Sequence, residues 1–306
     1  MNVLSLFDGM SCGRIALDKA GIKVDKYYAS EIDKYAIQVA KANYPDTIHL
    51  GDVQKIQAKG GELIVPFNGE FYHTDSIDLL IGGSPCQDLS IASANRIGLQ
   101  GERSGLFFEY VRLLKELKPT YFLLENVRMS KECELIITEM LGVEPVAINS
   151  NLVSAHNRHR LYWTNIPFTV PTDKGIILTD ILEDGVVDRD KAHCIDANYF
   201  KGGNLKSYFE KHRRQLVFTD HTYTEYRKLT PLECERLQTV PEGYTNHVSN
   251  TQRYRMLGNG WTVDVVSHIF KSIQEFGDQT FTKSFFDEEM FDHDFNDIAI
   301  MHENVS

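Results

Sequence analysis

An α/β fold built on a mostly parallel sheet is predicted by three features of this sequence. Short apolar runs alternate with segments of helical period through the first half of the chain. The apolar runs are near-continuous, as in strands buried on both faces. Glycine, acidic or cysteine residues follow each run, where the chain leaves the sheet. In order, Val3-Leu4-Ser5-Leu6-Phe7 reads as a buried strand, followed by the loop Asp8-Gly9-Met10-Ser11-Cys12-Gly13 and a helix through Leu17 to Ala20. Asp25 to Ser30 reads as a second strand ending at Glu31. Ile32, Ala36, Val39 and Ala40 then recur at helical spacing until Pro45. Ile77-Asp78-Leu79-Leu80-Ile81 is a further strand, running into Gly82-Gly83-Ser84-Pro85-Cys86. Leu106, Tyr110, Leu113, Leu114 and Leu117 mark a helix, and Tyr121 to Leu124 a short strand ending at Glu125.

After about Pro167 the alternation fades. Residues 170–226 mix turns, single aromatics and a basic run from Lys206 to Arg214, which reads as a small separate lobe. Helical period returns at Thr230-Pro231-Leu232-Glu233, a threonine N-cap followed by proline in the first turn. The predicted division is a catalytic domain over 1–169 and 258–276, a lobe with its connecting helix over 170–257, and an acidic tail over 277–306.

Composition narrows the function. Apolar residues make up 42% and charged residues 25% of the 306-residue chain, as in soluble globular proteins. No run approaches the roughly 18 apolar residues of a membrane helix, and the N-terminus has no basic segment before its apolar run. Five cysteines without a CxxC pair argue against a disulfide framework or a zinc knuckle, and fit a reducing cytoplasm. The net charge of −11 is uneven: the segment from Gly277 onward holds eight acidic residues and one lysine. The global charge therefore says little about any one face. Eleven histidines raise the question of a metal. His156 and His159, however, flank a stretch that also holds Arg158, and no metal is expected.

In an open parallel sheet, ligands bind beyond the carboxyl ends of the strands. Phe7-Asp8-Gly9, Glu31, Gly51-Asp52-Val53, Pro85-Cys86 and Glu125-Asn126 fall at five such ends. A glycine-containing first loop and an acid after the second strand suit a nucleoside cofactor, because a carboxylate accepts ribose hydroxyls. The loop is not GxGxxG, which weakens a nicotinamide reading. Asp52 can accept a proton from an adenine amine, which points towards S-adenosyl-L-methionine. Cys86 follows a proline in a turn at a strand end. With Glu125 and Arg158/Arg160 it forms a set suited to a pyrimidine. Thiolate addition to C6 makes C5 nucleophilic, provided ring charge is neutralised at N3 and O2.

The segments Phe7-Asp8-Gly9-Met10-Ser11-Cys12-Gly13, Gly83-Ser84-Pro85-Cys86-Gln87-Asp88-Leu89-Ser90, Glu125-Asn126-Val127, Arg158-His159-Arg160 and Gly258-Asn259-Gly260 resemble the ordered motifs of DNA (cytosine-5) methyltransferases. The likeness runs through 1–167 and resumes over about 228–270. It is nearest the animal de novo branch, through segments such as Arg103-Ser104-Gly105-Leu106-Phe107-Phe108-Glu109 and Gly260-Trp261-Thr262-Val263. No reader domain precedes the first motif, so the expected source is bacterial or phage, with the protein in the cytoplasm. The resemblance implies a Rossmann-like S-adenosylmethionine-dependent methyltransferase fold with a target-recognition lobe. It places Phe7 on the adenine, Asp8 to Cys12 at the methionine end, Glu31 and Ile32 by the ribose, and Asp52 and Val53 by the adenine. Asn259 and Trp261 close the pocket.

In the same way Cys86 is implied as nucleophile, Glu125 as the partner of N3, and Arg160, supported by Arg158, at the base oxygen. The target cytosine would leave the double-stranded DNA, because a stacked base is out of reach of Cys86. The following loop, with Ser90, Arg96 and Arg103, would close over the DNA. Two departures stand out. His156 sits where the family has glutamine and reads as a hydrogen-bonding spacer. Ala92 stands where the animal enzymes carry a larger aliphatic residue, so CpG specificity is not carried over.

The stretch from Lys201 to Arg214, interleaved with Tyr199, Phe200, Tyr208 and Phe209, is the expected target-recognition element, equally readable as a solvated helix face. Lys206, Arg213 and Arg214 are its expected phosphate contacts. A tRNA methyltransferase and a catalytically silent DNA-binding homologue are the alternatives. A homodimer and a cognate restriction enzyme are partners the sequence leaves open.

Overall fold

The computed structural model describes residues 1–67, 70–85 and 105–276. Cys86, Ser90, Ala92, Arg96, Arg103 and the acidic tail from 277 lie outside the described residues. The chain runs β1 (Asn2–Leu6), α1 (Cys12–Lys19), β2 (Lys26–Ser30), α2 (Lys34–Asn43), β3 (Ile48–His49), β4 (Gln57–Lys59), β5 (Glu62–Phe67), β6 (Glu70–Ser76) and β7 (Leu79–Gly82). It continues through α3 (Leu106–Leu117), β8 (Tyr121–Val127), α4 (Lys131–Leu141), β9 (Val146–Asn149) and β10 (His159–Thr164). The remainder is α5 (Leu205–Lys211), β11 (Leu216–Phe218), β12 (Tyr226–Lys228), α6 (Pro231–Leu237), α7 (Asn250–Asn259) and α8 (Val263–Phe276).

Seven strands form the central sheet in the order β3-β2-β1-β7-β8-β10-β9. The first five are mutually parallel, and β10 runs antiparallel to both of its neighbours. The strand residues alternate between two buried clusters, as the period of two requires. Val3, Leu79, Ile81 and Leu123 face α1 and α8, while Leu4, Leu6, Leu80, Phe122 and Leu124 face α3 and α4. The result is the three-layer α/β arrangement expected from the alternation.

The structure departs from the sequence reading in three places. β8 continues to Val127, so Glu125 sits inside a strand rather than just beyond one. Its backbone is therefore fixed by pairing with Tyr162 of β10. The strands β4, β5 and β6 form an antiparallel three-stranded sheet that the pattern did not announce. It is tied to α3 where Gly61 donates to the Glu116 carbonyl at 3.3 Å and Arg112 to that of Ile56 at 2.9 Å. The segment after residue 170, in turn, shares the sheet's core. Leu178, Ile181, Ile195, Tyr199, Val217 and Leu229 are buried in the same cluster as Val3 and Ile81. Only Tyr208, Leu216 and Phe218 make a small core of their own.

α7 meets the 196–197 segment backbone to backbone. A methyl group on Gly258 would lie 2.2 Å from the Asp196 carbonyl carbon and 2.5 Å from the Ala197 nitrogen, where neither neighbour can yield. Gly258→Ala is expected to destabilise the fold by about 3 kcal/mol through overpacking. Urea unfolding of the variant beside the parent chain measures this, and an unchanged midpoint would show that the contact is not close.

Candidate active site

The carboxyl ends of β1, β2, β7 and β8 open onto a cleft of about 830 Å³. Because β10 is antiparallel, its start, with Arg158, His159 and Arg160, lies at the same edge. Residues 194–197 and α7 with the Gly258-Asn259-Gly260-Trp261 turn complete the lining.

One half of the cleft is acidic. After β1 the chain turns sharply, with Phe7 at φ 57° and Ser11 at φ 64°. A left-handed phenylalanine is uncommon, and such strain concentrates at functional sites. The Asp8 carboxylate accepts hydrogen bonds from Ser11 Oγ at 2.5 Å and Tyr27 Oη at 2.7 Å. Burial outweighs these donors and pushes its pKa up to about 6. Glu31 is held by three backbone N–H groups: Gly9 on Oε2 at 2.8 Å, and Ile32 and Asp33 on Oε1 at 2.7 and 2.8 Å. A carboxylate offers about four acceptor positions, so roughly one remains for a ribose hydroxyl rather than two. Tyr244 Oη holds the Met10 carbonyl at 2.7 Å.

The other half is built on β8 and β10. Glu125 and Arg160 are diagonal cross-strand neighbours. Arg160 Nε lies 2.8 Å from Glu125 Oε1, and both side chains are largely buried. Asn126 Nδ2 donates to Ser84 Oγ at 3.0 Å, which ties β8 to the Gly83-Ser84-Pro85 turn leading into Cys86. A methyl group on Gly83 would stand 3.0 Å from Trp261 Nε1 and 3.2 Å from Glu125 Oε2, so glycine lets these two side chains converge beside that turn.

Arg158, expected in support of Arg160, also lines the cleft. It precedes β10, is 2% exposed, and spends its guanidinium on other parts of the chain. Nη2 donates to the Gly260 carbonyl at 2.7 Å. Nη1 reaches the carbonyls of Gly258 and Ile195 and the Cys194 sulfur at 3.3, 3.4 and 3.5 Å. These contacts tie the start of β10 to the 194–195 segment and to the Gly258–Gly260 turn. His156 is fully buried, its Nε2 3.2 Å from Thr262 Oγ1, and burial holds its pKa well below the usual histidine value. That fits the spacer reading.

Of the residues expected at the cofactor, Phe7, Asp8, Gly9, Met10, Cys12, Glu31, Asn259 and Trp261 line the cleft. Ser11, Ile32, Asp52 and Val53 do not. Ser11 is fully buried against Asp8, and Val53 belongs to the core on the α3 face. Ile32 is 74% exposed beside the rim. Asp52 caps a turn through the Gln54 N–H at 3.1 Å, and Ser30 Oγ holds the adjoining Gly51 carbonyl at 2.8 Å. Burial pushes the Cys12 thiol up to about 12, which removes it as a nucleophile.

The basic stretch is mixed. Lys206 is exposed on α5, whereas Arg213 pairs with Asp196 at 3.6 Å and Arg214 donates to the Gly202 carbonyl at 2.7 Å. Arg214 therefore braces its own loop. Tyr199 and Tyr208 are core residues, and Phe209 is the exposed large aromatic there.

Sequence reasoning missed Arg128, Cys194, Asp196, Gln252 and Arg255 in the lining. Arg128 and Arg255 had a signal, standing next to Val127 and one helical turn before Asn259. Residues 194–197 carried none. Among the described residues, no three His, Cys, Asp or Glu side chains converge as metal ligands, and no helix is long and apolar enough to cross a membrane.

A mostly parallel sheet with an acidic, glycine-turned cofactor end and a carboxylate–arginine pair beside it defines a Rossmann-like methyltransferase. The chain belongs to the C-5 cytosine-specific DNA methylase family, matched over residues 1–141 and 144–275. It is a DNA (cytosine-5) methyltransferase working with S-adenosyl-L-methionine. It is 28% identical to the type II methyltransferase M1.ScrFI of Lactococcus lactis subsp. cremoris, over 89% of this chain and 78% of that protein. It is 38% identical to the orphan methyltransferase M.Rho11sI of Bacillus phage rho11s, over 42% of this chain and 23% of that protein. Its fold is shared with the S. pombe Dnmt2 methyltransferase, with a TM-score of 0.62 and 20% identity over 92% of this chain and 100% of that one.

Asp8 gives a pH test. Its folded pKa of about 6 lies above the ordinary 3.8, so between those values the folded state binds more protons than the unfolded state. The contribution is fully present below pH 4 and is lost as pH rises through 6. From pH 5 to 7 the parent should lose about 1 kcal/mol of stability relative to Asp8→Asn. Parallel stability curves for the two proteins in urea would contradict the assignment.

Proposed function

We propose that this chain methylates C5 of a cytosine everted from double-stranded DNA, with Cys86 as nucleophile and Glu125 and Arg160 holding the base. The observation that carries the reading is the 2.8 Å Arg160–Glu125 pair, side by side on β10 and β8 at the cleft edge into which the Pro85 turn leads. Cys86 attacks C6, and the electron pair moves into the ring. N3 takes up a proton that it shares with the Glu125 carboxylate, and Arg160 offsets charge at O2. C5 then takes the methyl group. The N3 proton returns to Glu125, water takes the proton from C5, and the Cys86 thiolate leaves C6 with its electron pair, which restores the aromatic ring.

S-adenosyl-L-methionine, when bound, supplies the electrophilic methyl on a cationic sulfur. The residues present fit it: Glu31 and Asp8 are acidic, Phe7 is turned by its left-handed backbone, and Asn259 and Trp261 close the same cleft. Arg158 keeps those last residues in place through the Gly258 and Gly260 carbonyls. The segment over 170–257 serves as the target-recognition lobe, with Lys206 and Arg213 near phosphates, and Ser90, Arg96 and Arg103 follow Cys86 onto the DNA. A stand-alone orphan enzyme and one paired with a restriction enzyme are both compatible with this reading.

Conversion-based sequencing of plasmid DNA treated with the protein and S-adenosyl-L-methionine tests it. Cytosines modified in one short context are expected, and none with Cys86→Ala, which should still bind the cofactor by calorimetry. Glu125→Gln should slow turnover at least a hundredfold. Turnover by Cys86→Ala above background would sink the mechanism. Methylation of tRNA in place of DNA would move the substrate.

A further inference from the structure

The charges lining the cleft are sorted. Asp8, Glu31 and Asp33 gather at the β1–β2 end. At the β8–β10 end Glu125 is neutralised by Arg160, and Asp196 is paired with Arg213. Arg158 is buried against carbonyls. The cations of the lining that remain are Arg128, directly after β8, and Arg255, on α7. Both line the cleft, both are exposed, and neither meets a carboxylate among the described residues. His159, also exposed, stands between strand and rim, close enough to Arg128 and Arg160 that their charges, after its partial burial, hold it below the usual histidine value. The β1–β2 end is thus negative, and the positive charge without a carboxylate partner among the described residues lies on Arg128 and Arg255.

We propose that Arg128 and Arg255 are phosphate-binding residues, approaching the cleft from different walls and holding the DNA backbone of the everted nucleotide. The inference rests on the reading of the chain as an enzyme acting on duplex DNA. An arginine in the interior of such a cleft needs a committed partner, because a buried charge without one is costly. Arg160 and Arg158 have theirs. Arg128 and Arg255 remain at the mouth in water, where phosphate oxygens displace solvent at little cost and counterions are released from the DNA. Their two origins matter. Arg128 is rigidly coupled to Glu125 through three residues of one strand end, and Arg255 to Asn259 through one turn of helix. Phosphates held at both points would set the sugar, and hence the base, against Glu125 and Arg160 without any base contact. The contribution is therefore to affinity and placement, independent of sequence.

The test is duplex binding by fluorescence anisotropy over a salt series, with calorimetry of S-adenosyl-L-methionine alongside. Arg128→Gln and Arg255→Gln are each expected to raise the Kd for duplex five- to tenfold near 0.1 M salt. Each should also lower the slope of log K against log salt by about one. Cofactor affinity should be retained, which also reports correct folding. Arg128→Lys and Arg255→Lys should restore the slope, since a phosphate needs only the charge. An unchanged salt slope in the double glutamine variant would overturn the proposal. So would a loss in the lysine variants equal to that in the glutamine variants, which would mean that shape rather than charge is at stake. If the parent chain binds no duplex at any salt concentration, the DNA reading itself fails, and the clamp with it.

Discussion

The guanidinium of Arg158 is the contact on which the site depends. Placing a full charge at 2% exposure costs several kcal/mol unless acceptors surround it. Here the acceptors are the Gly258 and Gly260 carbonyls, the Ile195 carbonyl and the Cys194 sulfur. Two of these belong to the C-terminal end of α7, a helix with no basic residue in its own last turn. Arg158 thus supplies from outside the positive charge that a helix C-terminus favours. The same group joins three pieces far apart in sequence: the start of β10, the 194–195 segment and the Gly258-Asn259-Gly260 turn. Gly258 makes the junction sterically feasible, because any Cβ there would overlap the Asp196 backbone.

The segment after residue 170 is anchored by the same strategy. Glu233 and Glu235, both fully buried, lie on α6. Glu233 completes a capping box with Thr230 and pairs with Arg227, which also reaches Asp184. Glu235 pairs with Arg253 of α7 and accepts hydrogen bonds from the Gly243 and Thr245 amides. Such networks stabilise less than their Coulomb energy suggests, yet removing one partner strands a buried charge. They give these loops a single register where few strands exist to supply one. That register fixes where residues 194–197 meet the cleft.

Sorting of charge across the cleft follows from the sheet. The acids sit after β1 and β2, the carboxylate–arginine pair on β8 and β10, and the strand order sets the separation between them. Asp8, the buried member of that acidic end, is pushed up to about 6 by desolvation.

Much of this was legible beforehand. The strands β1, β2, β7 and β8 and the helices between them are local events, driven by apolar period and by stops such as Pro45, and they were readable. So were Phe7, Asp8, Gly9 and Glu31 after β1 and β2, because chain direction alone puts those ends on one edge of a parallel sheet, whereas Asp52 lies off the cleft and Glu125 inside β8. The meander over 57–76 was not readable, since short antiparallel strands with weak alternation resemble loops. Nor was the fate of the arginines. Arg158 and Arg160 stand two residues apart and look equivalent, yet one is committed to distant carbonyls and the other to Glu125. Arg214, in a stretch readable either as a target-recognition element or as a solvated helix face, donates to the Gly202 carbonyl of its own loop. The sequence by itself determined the layers, the edge on which chemistry gathers and the family. Only the tertiary structure decided which polar groups are consumed in holding the cleft together and which are left facing it, because those partners come from segments with no local relation in the chain.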